Sequence, residues 1–193
     1  MKKYKNHSKS DLLEIYRLMF LSRKLDEKQL ILLKQGKGFF HIGASGHEAA
    51  QVAAANSMDS SFDYAYPYYR DQAFCLAYGM TSKHMLLSFL AKEDDPSSGG
   101  RQMPQHFGCK ELNIVSQSSP TGTQYLQATG AAFALQRNGD NGVVYVSSGE
   151  GTTSQGDFHE ALNWSSRTKA PVIFHVENNG YAISVPINEQ TAG

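Results

Sequence analysis

At 193 residues, with 40% hydrophobic and 19% charged residues, the chain has the size and balance of one ordinary soluble globular domain. Eighteen lysines and arginines against eighteen aspartates and glutamates leave no net field, and no basic run makes a local one, which excludes nucleic acid and an anionic membrane as partners. Met1–His7 is basic without an apolar run behind it and no window approaches a membrane span, so a cytoplasmic location follows as the default. Cys75 and Cys109 form no C-x-x-C pair and read as ordinary thiols.

Ser10, followed by Asp11, reads as the N-cap of one long amphipathic helix. Its apolar residues recur at Leu12, Ile15, Tyr16, Met19 and Phe20 and again over Leu30–Leu33, until Gly36 and Gly38 break the pattern. Residues 1–38 therefore form an N-terminal helical segment ahead of a domain over residues 39–193. Gly46–Ser57 reads as a second helix. Tyr66–Asp71 is an extended aromatic segment entering a helix near Gln72–Tyr78, and Thr81 caps another helix that runs to Lys92. Residues 93–118 are rich in Asp, Pro, Ser, Gly and Gln, a long loop that is functional or disordered. A helix over 123–136 leads to the β-branched run Val143–Ser147, then a helix over 155–167 and a second such run, Val172–Val176. Strand, helix, strand of these lengths is a βαβ unit, with parallel strands buried on both faces and an α/β fold class.

Ligands of open parallel sheets sit beyond the carboxyl ends of the strands. There the sequence places Gly149-Glu150-Gly151 and Glu177-Asn178-Asn179-Gly180-Tyr181. Glycines around Glu150 let backbone approach a bulky anion and offer N–H groups near a helix start, an arrangement that suits a diphosphate. A carboxylate beside a diphosphate repels it unless a divalent cation lies between them, and Mg²⁺ prefers oxygen ligands. Glu150, the Asn179 side-chain oxygen and a backbone carbonyl near Tyr181 would supply three.

Gly149-Glu150-Gly151 followed at the right distance by Asn178-Asn179 resembles the thiamin diphosphate motif written G-D-G to N-N. The wider stretches Ser147–Asn163 and Asn178–Ser184, together with Tyr69-Arg70-Asp71, Ser118-Ser119-Pro120 with Thr123-Gln124, and Gly100–Pro104 with His106, resemble the alpha subunit of 2-oxo acid dehydrogenases. The resemblance covers residues 40 to 190 and implies a thiamin-diphosphate-binding α/β fold, a parallel sheet flanked by helices, with residues 39–193 an incomplete diphosphate- and Mg²⁺-binding domain. It implies Mg²⁺ on Glu150, Asn179 and the Tyr181 carbonyl. Cofactor contacts fall to Tyr69, Arg70, Ser119, Thr121, Gly149, Glu150, Gly151, Asn179, Tyr181 and Ile183. In some members a K⁺ ion sits on the equivalents of Ser118, Pro120, Thr123 and Gln124, and His106 resembles a histidine that contacts the substrate.

The implied reaction is oxidative decarboxylation of a small 2-oxo acid with acyl transfer to the lipoyl group of a partner acyltransferase. A beta-type subunit, or a fused C-terminal half, completes the site. Glu150 in place of the motif's aspartate leans toward the branched-chain 2-oxoisovalerate type, with pyruvate and acetoin types as alternatives. Glu177 departs from the arginine that some branched-chain members place on the diphosphate. The chain stops at Thr191-Ala192-Gly193, where the family pattern continues, so the sequence is expected to be a fragment that does not turn over alone.

Other readings compete. Gly149-Glu150-Gly151-Thr152-Thr153-Ser154 is also a defective dinucleotide fingerprint, with serine for the third glycine and Glu177 near the place of a ribose-binding acid. His47-Glu48 begins like H-E-x-x-H, but Gln51 replaces the second histidine. The alternative for His106 is a surface loop histidine; Arg101 reads either as a solvated loop charge or as a phosphate-loop contact; His41, His159 and His175 read as structural.

Overall fold

The computed structural model describes residues 7–191; the basic opening at Met1–Asn6 and the ending at Ala192–Gly193 lie outside the described residues. Packing divides the chain into two interleaved units, one of residues up to Asp59 with Tyr69–Gln105, the other of Ser60–Tyr68 with His106 onward.

In the first unit, α1 spans Lys9–Lys34. Its N-cap is Ser8 rather than Ser10. The Ser8 hydroxyl accepts the Asp11 N–H at 3.2 Å and Asp11 Oδ2 accepts the Ser8 N–H at 2.7 Å, a reciprocal pair that Ser10, with Leu13 three residues on, cannot form. The buried stripe also differs from the apolar pattern: Leu18, Ser22, Leu25 and Gln29 face inward, whereas Leu12, Tyr16 and Phe20 are exposed. Polar residues enter because α3 (Gln72–Ala77) brings a buried amide. Gln29 Nε2 donates to Gln72 Oε1 at 3.0 Å, and Gln72 Nε2 donates to the Ser22 carbonyl at 3.0 Å.

Between them, α2 (Glu48–Ala55) carries Gln51, whose amide is fully used: Nε2 donates to the Arg70 carbonyl and Oε1 accepts the Ala73 N–H. Gln51 is thus a packing residue where the metal motif has histidine. Helix α4 (Ser82–Phe89) is capped by Thr81 as the sequence indicates, but it ends at Phe89, because Ala91 turns to a φ of +49°. The following loop is tied by side-chain hydrogen bonds. Buried Asp95 accepts the N–H groups of Ser97 and Ser98, both at 3.1 Å, and Gln105 pairs with both the N–H and the carbonyl of Ile42. Arg101 is exposed and its Nε donates to the Ser98 carbonyl.

In the second unit three parallel strands pair in the order β1 (Tyr64–Tyr66), β2 (Val144–Gly149), β3 (Val172–Glu177). Helices α5 (Thr123–Asn138) and α6 (Gly156–Thr168) pack on each other over a core of Tyr66, Tyr125, Ala128, Ala132, Val144, Val146 and Ala161. The βαβ unit β2–α6–β3 is parallel, as expected. Its burial is not symmetric: Val144–Ser148 are buried, but β3 is an edge strand among the described residues, with Ile173 46% and Val176 36% exposed. Strand β1 begins two residues earlier than the extended segment expected at Tyr66–Asp71 and ends before Pro67.

Glu48 shows how the first unit is held. Burial pushes its carboxyl up, but hydrogen bonds from Arg23 Nε at 2.7 Å and the Gly46 N–H at 2.9 Å, with its own N–H, more than offset this and hold it below the ordinary glutamate value. Because folding lowers this pKa, the stabilisation is fully present above the unfolded value and is lost as pH falls through the lower folded one. Glu48→Gln is expected to cost about 1–2 kcal/mol near neutral pH in urea unfolding, less than a fully buried pair because Arg23 is half-exposed. The gap to wild type is expected to narrow below about pH 4.3.

Candidate functional site at the strand ends

The parallel register sets Gly149, the last residue of β2, opposite Glu177, the last of β3. Beyond Gly149 the chain makes a tight 3-10 turn over Glu150–Ser154 before α6 begins at Gly156. The Thr153 hydroxyl and Gln190 Nε2 both donate to the Glu150 carbonyl, at 2.7 and 3.0 Å, and Gln190 Nε2 also reaches Ser154 Oγ. This fixed turn carries Glu150 into the interior, only 4% exposed.

Glu150 Oε2 accepts the Asn179 N–H at 3.2 Å, whereas Oε1 is buried without any hydrogen-bond partner. Among the described residues no lysine, arginine or histidine pairs with this carboxylate. A buried, half-satisfied carboxylate is costly, and a cation is the group that relieves it. Its neighbours are oxygen donors. Asn179 Oδ1, already accepting the Tyr181 N–H at 3.0 Å, keeps a second lone pair, and Asn178 Oδ1 accepts the Gly180 N–H at 2.8 Å. Carboxylate and amide oxygens are hard donors, of the kind that suit Mg²⁺ rather than zinc.

Beyond Tyr181–Ala182 (β4), which pairs with Val185–Pro186 (β5), Ile183 sits fully exposed at a φ of +59°. A β-branched residue in the left-handed region carries strain of roughly 1–2 kcal/mol, a feature that clusters at functional sites. The two glycines around Glu150 meet different protein surroundings. A Cβ on Gly149 would make only ordinary contact with Tyr68, 3.8 Å away, whereas one on Gly151 would lie 2.6 Å from Ala182 Cβ. Gly151 therefore lets β4 close onto the turn.

The segment Ser118–Gln124 docks on the same strand end. Gln124 Nε2 donates to the Ser147 carbonyl at 3.1 Å and its Oε1 accepts the Gly122 N–H at 3.0 Å, while Thr123 Oγ1 donates to the Pro120 carbonyl at 3.0 Å. Gly122, at a φ of +99°, packs against Gln155 and Thr152. Ser119 Oγ lies 2.8 Å from His106 Nε2, and His106 is buried, so it is no surface loop histidine. Thr121 is exposed and Ser118 half-buried.

Tyr69 and Arg70 belong to the first unit. Arg70 Nη1 donates to the Gly43 carbonyl, its guanidinium carbon lies 5.4 Å from the Tyr69 ring centroid, and the rest of its fork has no protein partner among the described residues. Such a fork, held at one nitrogen, suits phosphate oxygens.

A family model described as the dehydrogenase E1 component matches residues 16–193. The chain belongs to the dehydrogenase E1 component family. It is 50% identical over 179 residues to the 2-oxoisovalerate dehydrogenase subunit alpha of Bacillus subtilis, covering 93% of this chain and 54% of that one. Against the mitochondrial 2-oxoisovalerate dehydrogenase subunit alpha of Homo sapiens, identity is 37% over 185 residues, covering 96% and 41% of the two chains. Identity to the pyruvate dehydrogenase E1 component subunit alpha of Staphylococcus aureus is 36% over 181 residues, covering 94% and 46%. The chain thus spans about half the length of the curated relatives it matches.

Within this E1 component two structural partners escaped the sequence reading. The Gln190 amide holds the Glu150 turn from 40 residues away, and the Tyr68 hydroxyl donates to Glu177 Oε2 at 2.9 Å from 109 residues away. Only the aromatic cluster around Tyr68 signalled either. The dinucleotide alternative loses both supports: the glycine turn opens a 3-10 turn rather than a helix, and Glu177 is 2% exposed and bonded to Tyr68.

Gly151→Ala is expected to cost about 1–3 kcal/mol in urea unfolding by pushing on β4. Adding Ala182→Gly removes the clashing methyl and should recover most of that loss. A double variant no more stable than the single would show that another contact limits this position.

Proposed function

We propose that this chain is the alpha-type part of a thiamin-diphosphate-dependent 2-oxo acid dehydrogenase acting on branched-chain 2-oxo acids, the acyl group passing to a lipoyl-bearing acyltransferase. The observation that carries the reading is the buried Glu150 carboxylate with one oxygen unused, bonded through the other to the Asn179 backbone.

In this reading Glu150, the Asn179 side-chain oxygen and the Tyr181 carbonyl hold Mg²⁺, and Gly149, Gly151 and Ile183 flank them. Tyr69 and the Arg70 fork take phosphate oxygens, and Ser119 and Thr121 line the cofactor. Ser118, Pro120, Thr123 and Gln124, four oxygen donors within seven residues, form the K⁺ site. His106 contacts the 2-oxo acid, its ring oriented by the hydrogen bond between Nε2 and the Ser119 hydroxyl. Thiamin diphosphate, when bound, supplies the electron sink that allows carbon dioxide to leave a 2-oxo acid. The chain's own residues neutralise and hold the diphosphate and exclude water from the buried carboxylate. A beta-type subunit or a fused C-terminal half brings the remaining groups. A cytoplasmic location belongs to the same reading; no helix among the described residues is long and apolar enough to cross a membrane.

The substrate class is supported by the higher identity to a relative named for 2-oxoisovalerate than to one named for pyruvate. Pyruvate is the second reading on the strength of the latter. In the intact enzyme, Glu150→Ala is expected to abolish Mg²⁺-dependent binding of thiamin diphosphate by calorimetry; unchanged affinity would remove the metal assignment. In a substrate panel, kcat/KM for 2-oxoisovalerate is expected to exceed that for pyruvate by about tenfold or more, the discrimination that one or two extra methyl groups give in an apolar pocket.

A further inference from the structure

Glu177 ends β3 opposite Gly149 and is 2% exposed. A carboxylate in such a place is costly unless its bonds are made and do something. Its Oε2 accepts the hydroxyl of equally buried Tyr68, and the Tyr68 N–H donates at 3.0 Å to Ser147 Oγ on β2. A chain of contacts thus runs from β2 through Tyr68 to the tip of β3. Two residues further on, Asn179 donates its N–H to Glu150, so the chain closes into a ring around the two strand ends. β3 has only β2 beside it in the sheet among the described residues, and this ring adds side-chain bonds to the ladder at its tip.

We propose that Tyr68 and Glu177 are positioning residues that set the separation between Glu150 and Asn179, and hence the geometry offered to the cation, without touching metal or cofactor themselves. The inference rests on the reading of Glu150 and Asn179 as cation ligands. It has a signature that a merely structural role lacks. Mg²⁺ demands a near-ideal octahedron at about 2.0–2.1 Å, whereas Ca²⁺ accepts irregular sites with oxygens at about 2.3–2.6 Å. Loosening the spacing therefore harms Mg²⁺ more than Ca²⁺.

The test is calorimetric titration of thiamin diphosphate into the intact enzyme, with Mg²⁺ or with Ca²⁺, for wild type and for Tyr68→Phe, Glu177→Leu and Glu177→Gln. Tyr68→Phe and Glu177→Leu are expected to weaken Mg²⁺-supported binding by about 10–100-fold, the usual cost of losing a group that orients a ligand, with a smaller loss in Ca²⁺. Glu177→Gln keeps an acceptor for the tyrosine and is expected to stay within about threefold of wild type. The ratio of the two affinities, measured on one sample, is independent of the fraction folded. Equal losses with both metals, or no loss in either deletion variant, overturn the inference. A loss in Glu177→Gln as deep as in Glu150→Ala overturns it differently, by making Glu177 a ligand. A wild-type enzyme without Mg²⁺-dependent binding removes the cation reading first and the inference with it, an outcome distinct from normal wild-type binding with unaltered variants.

Discussion

The parallel pairing of β2 with β3 is the constraint on which the candidate site depends. Parallel strands run in step, so both carboxyl ends finish together, Gly149 against Glu177, and the residues that overshoot them are forced into company. Glu150 and Asn179 are 29 residues apart in sequence and share a hydrogen bond for that reason. An antiparallel arrangement would send them to opposite ends of the sheet. The connection that makes the pairing parallel is α6, and its packing on α5 through the tyrosine and phenylalanine core is what anchors the sheet from behind.

Around that constraint the unit spends polar groups heavily. Gln124 ties the Ser118–Gln124 segment to β2, Gln190 ties the final turn to Glu150, and the buried Tyr125 hydroxyl meets Ser148. Burial pushes the Tyr125 phenol up, against the opposing effect of its hydrogen bond with Ser148, so the ring remains protonated and neutral within the core. Hydrogen-bonded amides and hydroxyls define position more sharply than apolar contacts do, because their geometry is directional. Glu150 Oε1 is one of several buried side-chain atoms that keep no hydrogen-bond partner among the described residues, and it belongs to a carboxylate at the paired ends of β2 and β3.

Much of this was legible in the amino-acid order, and the physical reason is locality. β2 and β3 declare themselves because Val143–Val146 and Val172–Val176 are β-branched runs, and Glu150 and Asn179 declare themselves because they follow those runs directly. β1 does not, since Tyr64–Tyr66 is too short to show a period and becomes a strand only by pairing with Val144–Val146, eighty residues away. The N-cap of α1 shifts from Ser10 to Ser8 because the choice depends on which serine finds an acid three residues on. The inward stripe of α1 was misread because Ser22 and Gln29 are buried by a distant glutamine rather than by their own polarity. Interleaving of the two units, and the Tyr68 to Glu177 bond, belong wholly to long-range contact.

The pair Asn178-Asn179 has one more consequence, in chemical ageing. Asparagine followed by glycine is the sequence most prone to deamidation, in which the glycine backbone nitrogen attacks the side-chain amide carbon, ammonia leaves, and water later opens the ring to aspartate or isoaspartate. Asn179-Gly180 is such a pair, with Asn179 exposed and Gly180 half-buried. Yet the attacking nitrogen is the Gly180 N–H, which is already engaged by the side chain of Asn178 at 2.8 Å. The first asparagine therefore guards the second, keeping an amide from decaying into an extra negative charge beside Glu150.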